Sequence, residues 1–255
     1  MKPVALNVAE EGHGDAVVLA HAIGCDMGMW DDVMPALAAH FRVVRVDVRG
    51  HGASPVPERP YSLGQLAGDV VAVLDRLGIE RAHWVGLSMG GMIGQAFALA
   101  HPRRLRRLVL ANTSGGYGPE AHATWAARKK LVREGGMRAI RELAVTRGFS
   151  EAFREQHPEI VAAAIAPVMA CPVEGYAGCC DAIAALDLMA QLPRIAAPTL
   201  AIAGSLDVGT PVEMMRGIAA AIPGARLAVI DGAAHISVVE RPLEFARLVR
   251  DFLEV

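Results

Sequence analysis

Aromatic residues are scarce in this chain, 5% of 255 positions, and no uninterrupted apolar run reaches the roughly 18 residues that a membrane-spanning helix requires. The core must therefore be mostly aliphatic, and no membrane partner is expected. An excess of one charge is also missing. The 25 Lys and Arg against 27 Asp and Glu leave a net charge of −2, too little for a field that would gather nucleic acid or an anionic surface. The four cysteines, Cys25, Cys171, Cys179 and Cys180, lack zinc-ligand spacing, and the adjacent pair cannot easily close a normal disulfide with itself. They are expected as reduced, packed thiols, with Cys25 near the expected pocket and open to electrophiles. No lysine follows Gly90-Gly91 as a phosphate-binding loop would need, and the glycines do not match a dinucleotide fingerprint. Neither cofactor nor metal is expected. The start Met1-Lys2-Pro3-Val4 has no apolar stretch or cleavage site of a signal peptide, so a cytoplasmic location is expected.

Apolar residues are plentiful, 53% of the chain, and their patterning alternates between strand and helix. Asp15–Ala20, Phe41–Val48, Ala82–Val85, Leu105–Ala111, Thr199–Gly204 and Ala225–Ile230 read as short buried strands. Helices are expected near Trp30–Ala39, from a Ser62 cap through Leu77, over Gly90–Ala100, over Val212–Ala221, and over Pro242–Leu253. Such alternation implies parallel βαβ units, an open sheet with helices on both sides, and a ligand crevice at the carboxyl ends of the strands. Between Tyr117 and Leu192 the strand signal vanishes and helical patterns take over. The expected organisation is one α/β core formed by residues 1–116 and 193–255, with a helical cap inserted over residues 117–192.

Gly86-Leu87-Ser88-Met89-Gly90-Gly91 sets a serine between glycines where an apolar strand gives way to a helix. That is the pattern of a nucleophile elbow, in which a strained turn exposes the serine hydroxyl. Ser88 is the candidate nucleophile, and a serine needs a base and an acid that orients the base, in the chain order Ser, acid, His. Four histidines follow Ser88, and His157 and His235 lie farthest along the chain. His157 falls in the expected cap, whereas His235 follows the strand ending at Ile230 and can project from its carboxyl end. Asp207, just after the preceding strand, is the candidate acid. Asp231 is its rival, although its place at the start of the histidine loop suits turn formation. The N–H groups of Met89 and Ile23 are the candidate oxyanion donors. His21 is a candidate for substrate contact or for shaping the oxyanion loop. Trp30, Met89 and Trp125 are candidates for an apolar wall, each with core packing as the alternative reading.

With Asp47–Ser54, the elbow and Asp207 with His235 in place, the chain resembles the α/β-hydrolase superfamily from about Val17 to Leu253. Within it, Gly86–Gln95, Arg107–Thr113 and Gly175–Ile183 are similar to the 3-oxoadipate enol-lactonase group. The resemblance implies an α/β-hydrolase fold, a mostly parallel sheet flanked by helices with an inserted helical cap. It also implies a small-molecule lactone or ester as substrate, opened within the β-ketoadipate pathway of aromatic degradation. The chain departs from the group in having Arg147-Gly148-Phe149 where Arg-Trp-Phe is frequent, and Val208 where a proline follows the acid. Lost aromatic bulk widens or reshapes the pocket. Such a lactone carries a carboxylate, and the segment from Tyr117 to His157 holds eight Lys and Arg against five Glu. Arg128, near Trp125, is the leading candidate to bind it. The competing reading is an exposed helix face, for which Lys130 with Glu134 and Arg138 with Glu142 have the spacing. A carboxylesterase of broad scope, a cofactor-free perhydrolase on the same triad and a catalytically silent receptor are the alternative functions.

Overall fold

The computed structural model describes residues 2–254; Met1, the first residue of the expected leaderless start, and Val255, the outer bound of the expected core, lie outside them. Seven strands, β1 (Val8–Glu11), β2 (Ala16–Ala20), β3 (Arg42–Val46), β4 (Ala82–Leu87), β5 (Leu105–Ala111), β6 (Thr199–Gly204) and β7 (Arg226–Ile230), form one sheet in the order β1-β3-β2-β4-β5-β6-β7. All neighbouring pairs are parallel except β1 with β3. The central strands β2, β4 and β6 are buried along their whole length, which is why they read as continuous apolar runs rather than alternating ones. β1 escapes the sequence reading. Its Val-Ala-Glu-Glu has half-buried and exposed positions only, as befits an antiparallel edge strand with no apolar face to announce it.

The helices are α1 (Met34–Ala38), α2 (Leu63–Arg76), α3 (Met89–Ala100), α4 (Ala121–Gly135), α5 (Arg141–Gly148), α6 (Glu151–Gln156), α7 (Pro158–Ala170), α8 (Val173–Ala184), α9 (Val212–Ala221), α10 (Ser237–Glu240) and α11 (Pro242–Leu253). Ser62 and Gln65 close a reciprocal capping box at the start of α2, through Gln65 N–H to Ser62 Oγ at 3.3 Å and Ser62 N–H to Gln65 Oε1 at 2.9 Å. The single helix expected near Trp30–Ala39 is two pieces. A 3-10 turn, Met27–Val33, is followed by α1, because Pro35 in the first turn of α1 has no N–H with which to continue the preceding turn. α3 is buried all round from Met89 to Ala98, packed against β4, β5 and α2, whereas α11 buries one face through Phe245, Val249 and Phe252. Each such buried side chain contributes about 1.5–3 kcal/mol. No single helix among the described residues is long and apolar enough to cross a membrane.

Because β2, β4, β5, β6 and β7 run in the same direction, the loops that follow them open on one edge of the sheet. Those loops begin at His21, Ser88, Asn112, Ser205 and Asp231. α4 to α8 fill the connection from β5 to β6 and supply residues to the wall of the cavity that Ser88 lines.

Candidate active site

Ser88 adopts φ 54° and ψ −114°, a conformation that L-residues avoid and that stores about 1–3 kcal/mol of strain. Its neighbours permit it by having no side chains. A Cβ on Gly86 would stand 2.2 Å from the Gly90 carbonyl oxygen, and one on Gly90 would stand 1.9 Å from the Ala20 carbonyl oxygen. The turn is then fixed by hydrogen bonds: Ser88 N–H donates to Ala111 O at 2.9 Å, Thr113 Oγ1 to Ser88 O at 2.6 Å, and Trp84 Nε1 to Gly90 O at 3.0 Å. The result is a hydroxyl held on the cavity wall at the carboxyl end of β4.

Ser88 Oγ lies 2.9 Å from His235 Nε2, and His235 Nδ1 lies 2.8 Å from Asp207 Oδ2. A carboxylate only accepts, so Nδ1 carries the proton and Nε2 is left to accept from the serine hydroxyl. Asp207 is buried and surrounded by donors. Its Oδ1 accepts from Gly209 N–H at 2.7 Å and Thr210 N–H at 3.0 Å, and its Oδ2 accepts from Thr210 Oγ1 at 2.7 Å and Asn112 Nδ2 at 2.9 Å. Burial pushes this carboxyl up, but the facing His235 imidazole and the Thr210 donors outweigh burial and hold it well below the usual carboxylate range. Asp231 serves the backbone instead. Its Oδ1 accepts from Ser205 Oγ at 3.0 Å, and Ser205 Oγ accepts from Gly232 N–H at 2.8 Å, closing the turn between two loops. His157 sits at the junction of α6 and α7, its ring centre 4.8 Å from that of Phe153.

Two residues to which the sequence reading gave no role tie this cluster together. Asn112, with φ 45° at the end of β5, donates to Asp207 and accepts from Ser237 Oγ at 2.6 Å, so it joins the acid loop to the start of α10. Its signal was an asparagine directly after a buried strand, a residue type that tolerates the left-handed region. Glu240 is buried, with Oε1 accepting from Ser150 N–H at 2.6 Å and Oε2 from Ala234 N–H at 3.1 Å. One carboxylate thereby pins the start of α6 to the residue before His235. Glu240→Gln turns an amide donor toward one of these N–H groups and leaves it unsatisfied, so stability falls by about 1–3 kcal/mol. A lower urea midpoint with an unchanged slope checks this.

Met89 is the first residue of α3, where an N–H has no acceptor within the helix. Ile23 lines the cavity from the loop after β2. His21 does not reach the cavity, contrary to its expected place among the substrate contacts. Its buried ring accepts from Val48 N–H at 2.9 Å through Nε2, and its Nδ1 bonds Ala22 O at 2.7 Å, so both nitrogens are used on backbone. Burial pushes its pKa down, which keeps the ring neutral, and it braces the loop that carries Ile23. Trp30 is also corrected: it is fully buried and packs against Phe245 at 6.1 Å between ring centroids, on the side of α11 rather than in the cavity. The Met89 side chain is likewise core, leaving only its backbone for the site.

The cavity has a volume of about 480 Å³ and is walled by Trp125, Tyr117, Tyr176 and apolar residues of α5 and α7. Arg128 reaches it with its guanidinium 4.6 Å from the centre of the Trp125 ring. Arg147 reaches it as well, and the sequence reading did not single it out. Leu143, Ala144, Arg147 and Gly148 share the lining face of α5, but that helix has too few apolar residues for its inner side to be read from periodicity. Burial pushes the Arg147 pKa down, and Arg128 adds to the effect. The lining also holds the carboxylates Asp26, Asp31 and Asp32, and a ligand anion bound beside Arg128 and Arg147 would offset the cost of burying the Arg147 charge. Lys130 pairs with Glu134 on the exposed face of α4 at 3.8 Å.

A strained serine hydrogen-bonded to a histidine that is oriented by a buried aspartate, at the carboxyl edge of a parallel sheet, defines the class of elbow-type serine hydrolases. A family model described as alpha/beta hydrolase fold matches residues 15–142. The chain is 41% identical over 248 residues to 3-oxoadipate enol-lactonase 2 of Acinetobacter baylyi, covering 96% of this chain and 92% of that one. The crystal structure of the enol-lactonase from Burkholderia xenovorans LB400 is similar with a TM-score of 0.94 at 38% identity, covering 98% of this chain and 96% of that one. A thermophilic esterase from Thermogutta terrifontis also reaches a TM-score of 0.94 at 30% identity, covering 98% of this chain and 93% of that one. The chain belongs to the alpha/beta hydrolase fold family, and within it is similar to the 3-oxoadipate enol-lactonases. It is an ester-cleaving hydrolase.

Proposed function

We propose that this protein opens an enol-lactone that carries a carboxylate, 3-oxoadipate enol-lactone being the substrate its relatives suggest, by acyl transfer through Ser88. The observation that carries the reading is the pair Arg128 and Arg147 in the same cavity as Ser88 and His235. Ser88 Oγ attacks the lactone carbonyl as its proton passes to His235 Nε2, and Asp207 stabilises the imidazolium. The Met89 and Ile23 N–H groups receive the charge that grows on the carbonyl oxygen, each donor contributing about 3 kcal/mol in the transition state. The ring C–O bond then breaks, and the enolate takes the proton from His235 and becomes a ketone. Water, deprotonated by the same imidazole, attacks the acyl-enzyme and frees the acid. An enolate leaves more readily than a simple alkoxide, so one imidazole suffices as acid. α4 to α8 act as a cap, and the core is built from the chain on either side of them.

The arginines hold the substrate carboxylate, and hydrogen bonds to a charged group contribute about 1.5–3 kcal/mol. Arg128→Met and Arg147→Met are therefore expected to lower the ratio of kcat/KM for the enol-lactone to that for the neutral p-nitrophenyl acetate by about 10- to 100-fold each. Wild-type protein that turns over the neutral ester in marked preference to the lactone would show a general carboxylesterase instead.

A further inference from the structure

Gly148 ends α5 inside the cavity wall, and nothing in its backbone asks for glycine. It is helical, its φ is not positive, and a Cβ there would meet only Ile236 Cγ1, at an ordinary contact distance of 3.5 Å. Every other fully buried glycine among the described residues has a positive φ or packs so closely that a Cβ would meet a neighbour within 3.1 Å. A glycine in a helix is less stable than alanine, and a Cβ fits here at ordinary contact distance, so what the missing side chain supplies is not backbone freedom or close packing. What it supplies here is space. Gly148 lines the cavity beside the reacting groups, its carbonyl accepting from Ile236 N–H at 2.9 Å, one residue after His235. Apart from Arg147, the lining residues of α5 and of the segments next to Gly148 and His235 are apolar: Leu143, Ala144, Phe149, Ile236 and Val239.

We propose that Gly148 is the specificity-determining position of this site, and that the room it leaves takes an apolar branch or chain on the acyl part of the substrate. The proposal rests on the acyl-transfer reading above and deepens it: the substrate class is a lactone or ester with more apolar bulk than the minimal ring and its acid arm. An open-chain ester leaves only its acyl portion on Ser88 after the first chemical step, and a lactone leaves its whole opened chain there, so in both cases the acyl chain is the part held in the cavity through both steps. A side chain at position 148 would occupy the same space.

The test uses p-nitrophenyl acetate and p-nitrophenyl hexanoate, which share a leaving group and differ only in acyl chain. Wild-type protein is expected to prefer the hexanoate by at least about tenfold in kcat/KM, since even one methylene that finds an apolar pocket contributes about that much discrimination at the lower end of its range. Gly148→Leu is expected to lower the hexanoate-to-acetate ratio by about tenfold or more, with Gly148→Ala giving a smaller shift in the same direction and a thermal midpoint equal to or above wild type. Gly148→Ala keeps the test valid if the leucine variant fails to fold. A wild-type protein that prefers the acetate, or a ratio unmoved by substitution, overturns the proposal, as does an equal loss on both esters. Absence of enol-lactone turnover with the hexanoate preference intact counts against the enol-lactone reading and leaves Gly148 as the determinant of acyl size.

Discussion

Ser88→Ala lowers kcat/KM for enol-lactone and ester alike by about 10⁴- to 10⁶-fold, the range found when the nucleophile of a serine triad is removed and only binding and oxyanion stabilisation remain. The fold survives the change. Alanine is smaller than serine, the hydroxyl makes its one hydrogen bond to His235, and the hydrogen bonds that fix the turn use Ser88 backbone atoms. Circular dichroism and the thermal midpoint of the variant should match wild type, and a fluorophosphonate probe should label wild-type Ser88 and fail on the variant. Ser88→Gly separates strain from chemistry. With φ at 54°, glycine relieves a conformation that alanine retains, so Ser88→Gly is expected to be equally inactive but more stable than Ser88→Ala by about 1 kcal/mol or more. Retained turnover in either variant would assign the nucleophile elsewhere, and an unlabelled wild-type serine would favour the silent receptor.

Asp207→Asn is the second large loss, about 10⁴-fold in kcat, with KM little changed. Two effects combine. An asparagine amide can donate to His235 Nδ1, which selects the tautomer with the proton on Nε2 and so removes the lone pair that accepts the Ser88 proton. It also sets an amide among Gly209 N–H, Thr210 N–H, the Thr210 hydroxyl and Asn112 Nδ2, all donors, so at least one is left unsatisfied. The pH dependence of stability follows from the same contacts. Because the folded-state pKa of Asp207 lies below its unfolded value, its ionised form contributes stability that is fully present above the ordinary carboxylate range and is lost as pH falls toward the folded value. The asparagine variant has no such contribution. The gap in unfolding free energy between wild type and variant should narrow with decreasing pH below about 4. A gap that widens on acidification would mean that Asp207 is not a buried, stabilised carboxylate.

Much of the architecture is legible along the chain because it is local. Strands β4 to β7 and helices α2, α3, α9 and α11 announce themselves through apolar runs, capping residues and helix-breaking prolines. Positions at the carboxyl ends of strands follow from the parallel order, which is how Ser88, Asp207 and His235 could be picked out among many serines, acids and histidines. Other features are not local. Trp30 and Trp125 are the same residue type in equally uninformative surroundings, yet one packs on Phe245 and the other walls the cavity. His21 looks like a ligand in sequence but uses both ring nitrogens on backbone, a fact that depends on Val48 arriving from β3. Arg147 and Glu240 likewise acquire their roles from partners supplied by distant segments.

By itself, then, the sequence determined the alternation of strands β2 to β7 with helices, the glycine-flanked turn that exposes a serine, and the strand ends from which the acid and base project. These depend on backbone preferences and on burial patterns of period two or 3.6, which are written within a few residues of one another. The tertiary structure alone decided that Arg147 joins Arg128 in one cavity and that Glu240 and Asn112 brace the loops. Helices without a strong apolar stripe can rotate about their axes at little local cost, so which side chains they turn inward is settled only by packing against segments far away in the chain.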